Sequence, residues 1–113
     1  MSSAESSLAQ LRRAVISQKA ASLPQAAEDR ALVDLRQQIE TYDQCVSQNV
    51  IAILQGARET HPCANRQAIE DVLNSLLEEA PAPRRRVLEQ FRNYLKRLDA
   101  MLELCGQVIA KEQ

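Results

Sequence analysis

The strongest constraint on this chain lies in its last third. Between Val87 and Ile109, three interleaved sets of apolar residues each recur every seven positions. Phe91, Leu98 and Cys105 form one set, Val87, Tyr94, Met101 and Val108 a second, and Leu88, Leu95, Leu102 and Ile109 a third. None of these positions is polar. A seven-residue recurrence is two turns of α-helix, and the two-residue period of a strand cannot produce it. Two apolar columns would suffice for a two-stranded coiled coil, whereas three require at least two neighbouring helices. This segment, expected as a helix over about 84–111, is therefore the centre of a bundle.

Composition points the same way. The chain has 113 residues, with 2 Gly, 4 Pro, no Trp and three aromatic residues in all. Against these stand 16 Ala, 14 Leu, 12 Gln and 11 Arg, all good helix formers. The 13 Val and Ile residues are scattered, so strands have little to grow from. A β-sandwich or barrel would need many Gly-bearing turns. Gly56 and Gly106 alone cannot build a Gly-rich phosphate loop.

Punctuation divides the chain into four helices. Ser2 and Glu5 stand in capping-box spacing and predict a first helix over about 3–22, with Leu8, Leu11, Val15 and Ile16 on its apolar stripe. Leu23-Pro24 interrupts it. Pro24, with Ser22 and Gln25 in capping-box spacing, is expected to open a second helix running to about 55. Its seam is Leu32, Leu35, Ile39, Tyr42, Val46, Asn49 and Ile53, and Gly56 is placed to end it. Asn49 has two readings: it fixes the register of a helix pair, or the heptad slips and it faces water. A loop over 56–65 leads to a third helix over about 62–80, capped by Thr60 or Asn65, with Ile69, Val72, Leu73, Leu76 and Leu77 on one face. Ala80-Pro81-Ala82-Pro83 stops it. The expected fold is all-α, an antiparallel four-helix bundle (about 3–22, 24–55, 62–80 and 84–111) in one domain spanning 1–113, and dimeric.

Candidate chemistry is sparse. His61-Pro62-Cys63 puts the only histidine two residues from a cysteine, but a metal would need further donors and no paired CxxC or HxxxH exists. The two are also too close in sequence for a Cys–His dyad. Cys63 reads as an incidental loop thiol, Cys105 as a small buried hydrophobe, and Cys45 borders the second-helix seam with no assigned role. Three widely spaced cysteines fit a reducing cytosol better than a disulfide framework. The carboxylate pairs Glu28-Asp29, Glu70-Asp71 and Glu78-Glu79 lie beside the apolar stripes and lack the Glu-x-x-His pattern of a di-metal bundle, so they read as solvated faces. No catalytic residue, cofactor or metal site is expected.

Charge supplies the sharper features. The formal net charge is −1, without the basic excess of most nucleic-acid binders. Locally, Arg84, Arg85, Arg86, Arg92, Lys96 and Arg97 stand against Glu89 alone, while residues 59–83 carry five acids against Arg66. Three arginines at a helix start oppose its dipole and call for an anion nearby, either the acidic third helix or a partner. The uncharged run Gln44–Ala57 is too short and polar to span a bilayer, and Met1–Glu5 lacks the basic and apolar character of a signal peptide.

Beyond Val46 the second-helix stripe broadens to include Val50, Ile51 and Leu54. The expected function is thus a small cytosolic non-enzymatic protein, an adaptor, chaperone or regulator of the helical kind common in bacteria. Val50, Ile51 and Leu54 would meet a protein partner or a second copy, and Arg84, Arg85 and Arg86 would steer an acidic one. The alternative is a nucleic-acid-associated regulator binding through the basic half of the last helix.

Overall fold

A computed structural model describes residues 6–25 and 29–112 of the chain. Four helices follow one another: α1 (Ser7–Ala20), α2 (Arg30–Leu54), α3 (Arg66–Glu78) and α4 (Ala82–Glu112). No strand occurs among the described residues. Nor is any helix there long and apolar enough to cross a membrane.

The 31 residues of α4 span roughly 46 Å at ~1.5 Å per residue, which matches the 47 Å long axis of the molecule. As its three-column stripe demands, α4 packs against each of the other three helices. Leu88, Phe91, Leu95, Leu98, Met101, Cys105 and Val108 are buried, while Val87, Tyr94, Leu102 and Ile109 pack partly buried around them. Opposite them, α2 contributes Leu32, Leu35, Ile39, Tyr42, Val46, Val50 and Ile53, and Leu11, Ile69 and Leu73 complete the core from α1 and α3. Each fully buried Leu or Ile contributes about 2 kcal/mol of transfer free energy.

Consecutive helices alternate in direction, as their short connections require. Arg66 at the start of α3 meets Asp99 of α4, and Arg85 near the start of α4 reaches the Leu77 carbonyl late in α3. Ser7, at the start of α1, lies 3.5 Å from Gln107 near the end of α4. It follows that α2 and α4 are parallel: Asp29 pairs with Arg84, Tyr42 with Asp99, and Ile53 lies beside Val108. The two short helices cover this long pair at staggered heights, with α3 along the first half of α4 and α1 along the second.

Helix ends differ from the sequence expectation where side chains find better partners. The Ser2–Glu5 capping box lies outside the described residues; α1 is capped instead by Ser6, whose hydroxyl accepts from the Ala9 amide at 3.1 Å. Pro24 does not open α2. That helix begins at Arg30 with Asp29 as N-cap, accepting from the Leu32 amide, and the Pro24 carbonyl instead receives Arg36 Nε at 3.0 Å. The start of α3 moves from the expected 62 to Arg66, because the preceding loop is tied down as far as Cys63. Asn65 directs its side chain to the Gln38 carbonyl at 3.1 Å rather than capping α3. Gly56 does end α2, as expected. With φ of +98°, it lets its own amide reach the Ile53 carbonyl and the Ala57 amide reach the Ala52 carbonyl, the Schellman pattern.

Candidate functional site

The apolar end of α2 divides between core and surface. Val50 is only 3% exposed and belongs to the core, so it cannot serve the partner surface assigned to it from sequence. With α3 and α4 both against α2, the broadened stripe after Val46 has more neighbours to fill than one seam allows, and Val50 is taken up inside the chain. Ile51, the next residue, is 55% exposed. It ends a polar strip of Glu40, Asp43, Gln44, Ser47 and Gln48 along α2. Leu54 is half-buried and joins Leu8, Ile53, Val108 and Ile109 in the walls of a cleft of about 220 Å³. The start of α1 and the ends of α2 and α4 meet at this cleft, and Gly56, Ala57 and Arg58 form its rim. Among the described residues, the other large apolar side chain left exposed is Ile16, at 71%, on α1.

The arginine cluster is largely engaged within the chain. Arg84 Nε lies 2.9 Å from Asp29 Oδ2 as a charge contact, and its Nη2 donates to Oδ1 at 3.2 Å. The anion that the start of α4 requires is therefore the N-cap of α2. Burial pushes the Asp29 carboxyl up, but Arg84 and the Leu32 amide outweigh this and hold it below the usual carboxylate range. Arg85 donates to the Leu77 carbonyl at 3.1 Å, where the end of α3 welcomes positive charge. Arg92 donates to Asn74 at 2.9 Å. Arg86, Lys96 and Arg97 are exposed.

Asn49 follows neither of its two sequence readings. It is 1% exposed, and its amide grips the backbone of the 56–65 loop. Nδ2 donates to the His61 carbonyl at 2.9 Å, and Oδ1 accepts from the His61 amide at 2.7 Å. This grip seats Cys63 over Cys45, one helical turn before Asn49, and the two cysteines form a disulfide with their Cα atoms 5.9 Å apart. The expectation of three unpaired cysteines, with Cys63 an incidental thiol, is thereby corrected; only Cys105 is free, and it is buried as expected. The available signal was the i, i+4 spacing of Cys45 and Asn49 on one helix face, since a polar side chain on a seam needs a partner that only the loop could supply.

Sequence reasoning also missed a polar cluster tying three helices together. Arg66 of α3 forms a bidentate pair with Asp99 of α4 at 2.9 and 2.8 Å and meets Glu70 at 2.8 Å. Tyr42 of α2 donates to Asp99 at 2.6 Å, and the Arg66 guanidinium lies 5.9 Å from the Tyr42 ring centre. Burial pushes the Asp99 carboxyl up, yet the hydrogen bonds from Arg66 and Tyr42 leave it below its ordinary value. Burial and the Asp99 carboxylate push the Tyr42 phenol well above its own. Elsewhere along the α2–α4 seam, Tyr94 donates to Asp43, and burial with this bond raises the phenol to about 12. These contacts serve structure: the acids meet cations or phenols and the arrangement is closed. Of the carboxylate pairs, Glu28 lies outside the described residues, Asp29 and Glu70 are ion-paired, Asp71 accepts from Gln67, and Glu78 and Glu79 are exposed. Among the described residues, no group of three or more His, Cys, Asp or Glu is placed to hold a metal ion.

No family model, curated protein or solved structure matches the chain.

Proposed function

We propose that the chain is a non-enzymatic helical binding module of the cytosol, an adaptor, chaperone or regulator that docks a protein partner at its bundle end. The observation that supports this is the cleft of Leu8, Ile53, Leu54, Val108 and Ile109, with Ile51 exposed on α2 three residues before Leu54. Apolar side chains from three helices reach the surface there at one place. Such a cleft suits an amphipathic partner helix that inserts one or two apolar anchors. Arg58 on the rim would favour an acidic flank on that helix. The engagement of Arg84, Arg85 and Arg92 within the chain leaves the nucleic-acid reading only Arg86, Lys96 and Arg97, and no retardation of DNA or RNA at low salt is expected.

The two exposed isoleucines make the test. Affinity co-purification from the source cell, quantified for wild type, Ile51→Asp and Ile16→Asp, should lose one defined partner with Ile51→Asp and keep it with Ile16→Asp. Loss with both variants, or with neither, overturns the assignment. A second copy of the chain is one such partner, and light scattering across a concentration series identifies it by a doubling of mass that Ile51→Asp abolishes.

A further inference from the structure

We infer that the Cys45–Cys63 disulfide is a reversible thiol–disulfide exchange site, reduced by a dithiol, and that it governs the freedom of the 56–65 loop. Both cysteines are partly exposed, so an incoming thiolate can reach the bond, unlike the fully buried Cys105. The surroundings serve both oxidation states. Asn49 Nδ2 uses one proton on the His61 carbonyl and lies 3.5 Å from Cys63 Sγ and 3.9 Å from Cys45 Sγ. Its second proton is thus available to the charge that develops on Cys63 as the bond breaks. Once formed, each thiol has a carbonyl acceptor in place: Pro62 O lies 3.6 Å from Cys45 Sγ, and His61 O lies 3.9 Å from Cys63 Sγ. Opening the bond therefore leaves no thiol without a partner.

The exchange balances as follows. One thiolate of the dithiol attacks Cys45 Sγ, the S–S electron pair leaves on Cys63 Sγ, and Cys63 takes up a proton. The second thiol of the reductant then attacks the mixed disulfide, forming the reductant's own disulfide and releasing Cys45 as a thiol. Two electrons and two protons pass to the pair. In a reducing compartment such a bond is transient, which is the usual form of an intracellular disulfide.

The consequence lies in the loop. Between its two ends, which the Ala57 amide ties to the Ala52 carbonyl and the Asn65 side chain to the Gln38 carbonyl, the loop is attached to α2 by the disulfide and by the two Asn49 hydrogen bonds to His61. Reduction removes the covalent attachment and leaves the middle of the loop held only by two neutral hydrogen bonds, so it opens locally while its ends and the helices stay packed. Gly56, Ala57 and Arg58 belong to this loop and also form the cleft rim, so the same event loosens that rim at Arg58, beyond the Gly56 and Ala57 amides that stay bonded to α2.

Trypsin reads the loop directly, because Arg58 is exposed within it. The native protein treated with dithiothreitol should gain two thiols without denaturant and keep its helical circular dichroism. Its cleavage at Arg58 should rise roughly tenfold or more. Oxidised glutathione should restore the bond and the slow cleavage. A Cys45→Ser, Cys63→Ser double variant should be cut at the fast rate with or without dithiol. The inference is overturned if the bond opens only when the protein unfolds, if reduction collapses the helices, or if cleavage at Arg58 is the same in both states. No partner enters this experiment, so its failure is distinct from failure of the docking assignment.

Discussion

Replacing Asn49 by alanine tests how the loop is held. Asn49 is a buried polar residue on an otherwise apolar helix face, and both ends of its amide are engaged by one residue, His61. Each of these hydrogen bonds contributes a net ~1 kcal/mol. The truncation also strips the His61 N–H and C=O of their partner and leaves a small void, so the total loss is about 2–3 kcal/mol. Unfolding entropy near 2.1 cal/mol/K per residue gives a chain of this length roughly 0.24 kcal/mol/K. The melting temperature should then fall by roughly 10 °C. Urea and thermal unfolding of the oxidised protein, followed by far-UV circular dichroism, supply the comparison. Asn49→Asp should cost at least as much at neutral pH, because it sets a carboxylate oxygen against the His61 carbonyl and buries a charge. If Asn49→Ala stays within about 0.5 kcal/mol of wild type, the disulfide alone positions the loop and the role given to Asn49 is wrong.

Three other outcomes follow from the geometry. Leu98→Asp and Val50→Asp should abolish the cooperative unfolding transition, since both place an unpaired charge in the core, while Ile51→Asp should change stability by less than about 0.5 kcal/mol; a folded Val50→Asp protein would return that residue to the surface. Without tryptophan, tyrosinate absorbance reports on Tyr42 and Tyr94 alone, and both should ionise later in the native protein than in urea, Tyr94 near pH 12. Because its folded pKa is raised, the stabilisation from Tyr94 is complete below the unfolded value of about 10 and disappears as pH rises through about 12; simultaneous ionisation in both states would refute the part-buried Tyr94–Asp43 bond. Asp99 has a lowered folded pKa, so its stabilisation is present above about pH 4 and fades as pH falls through the lower folded value. Asp99→Asn should therefore cost about 1 kcal/mol at neutral pH, allowing for partial exposure, and converge with wild type on acidification; parallel pH curves would contradict this.

The long helices were legible because their signal is periodic and local. Every apolar column of α4 lies in or against the core, and six of the seven α2 seam positions are buried apolar residues as read. What the sequence concealed depends on contacts between distant residues. Pro24 is a plausible helix start in isolation, but Asp29 wins because it caps α2 and pairs with Arg84, 55 positions away. The broadened stripe after Val46 gives the right width but misplaces Val50, which packs within the chain while Ile51 stays exposed and Leu54 half-buried. The disulfide escaped because an odd number of widely spaced cysteines carries no pairing information; their proximity is created by Asn49 folding the loop back onto α2. Arg66 stood out as the one cation among five acids, yet the partner that matters most, Asp99, lies on another helix.

Site-specific photocrosslinking tests most directly whether the bundle end is where this protein meets its partner. A benzophenone amino acid placed at position 51, and separately at position 16, would be activated in the source cell and the adducts resolved by mass. Position 51 should give one discrete protein adduct, either a second copy or a single other protein, and position 16 should give none. Equal labelling from both positions, or no discrete adduct from position 51, would contradict docking at the cleft of Leu8, Leu54 and Ile109.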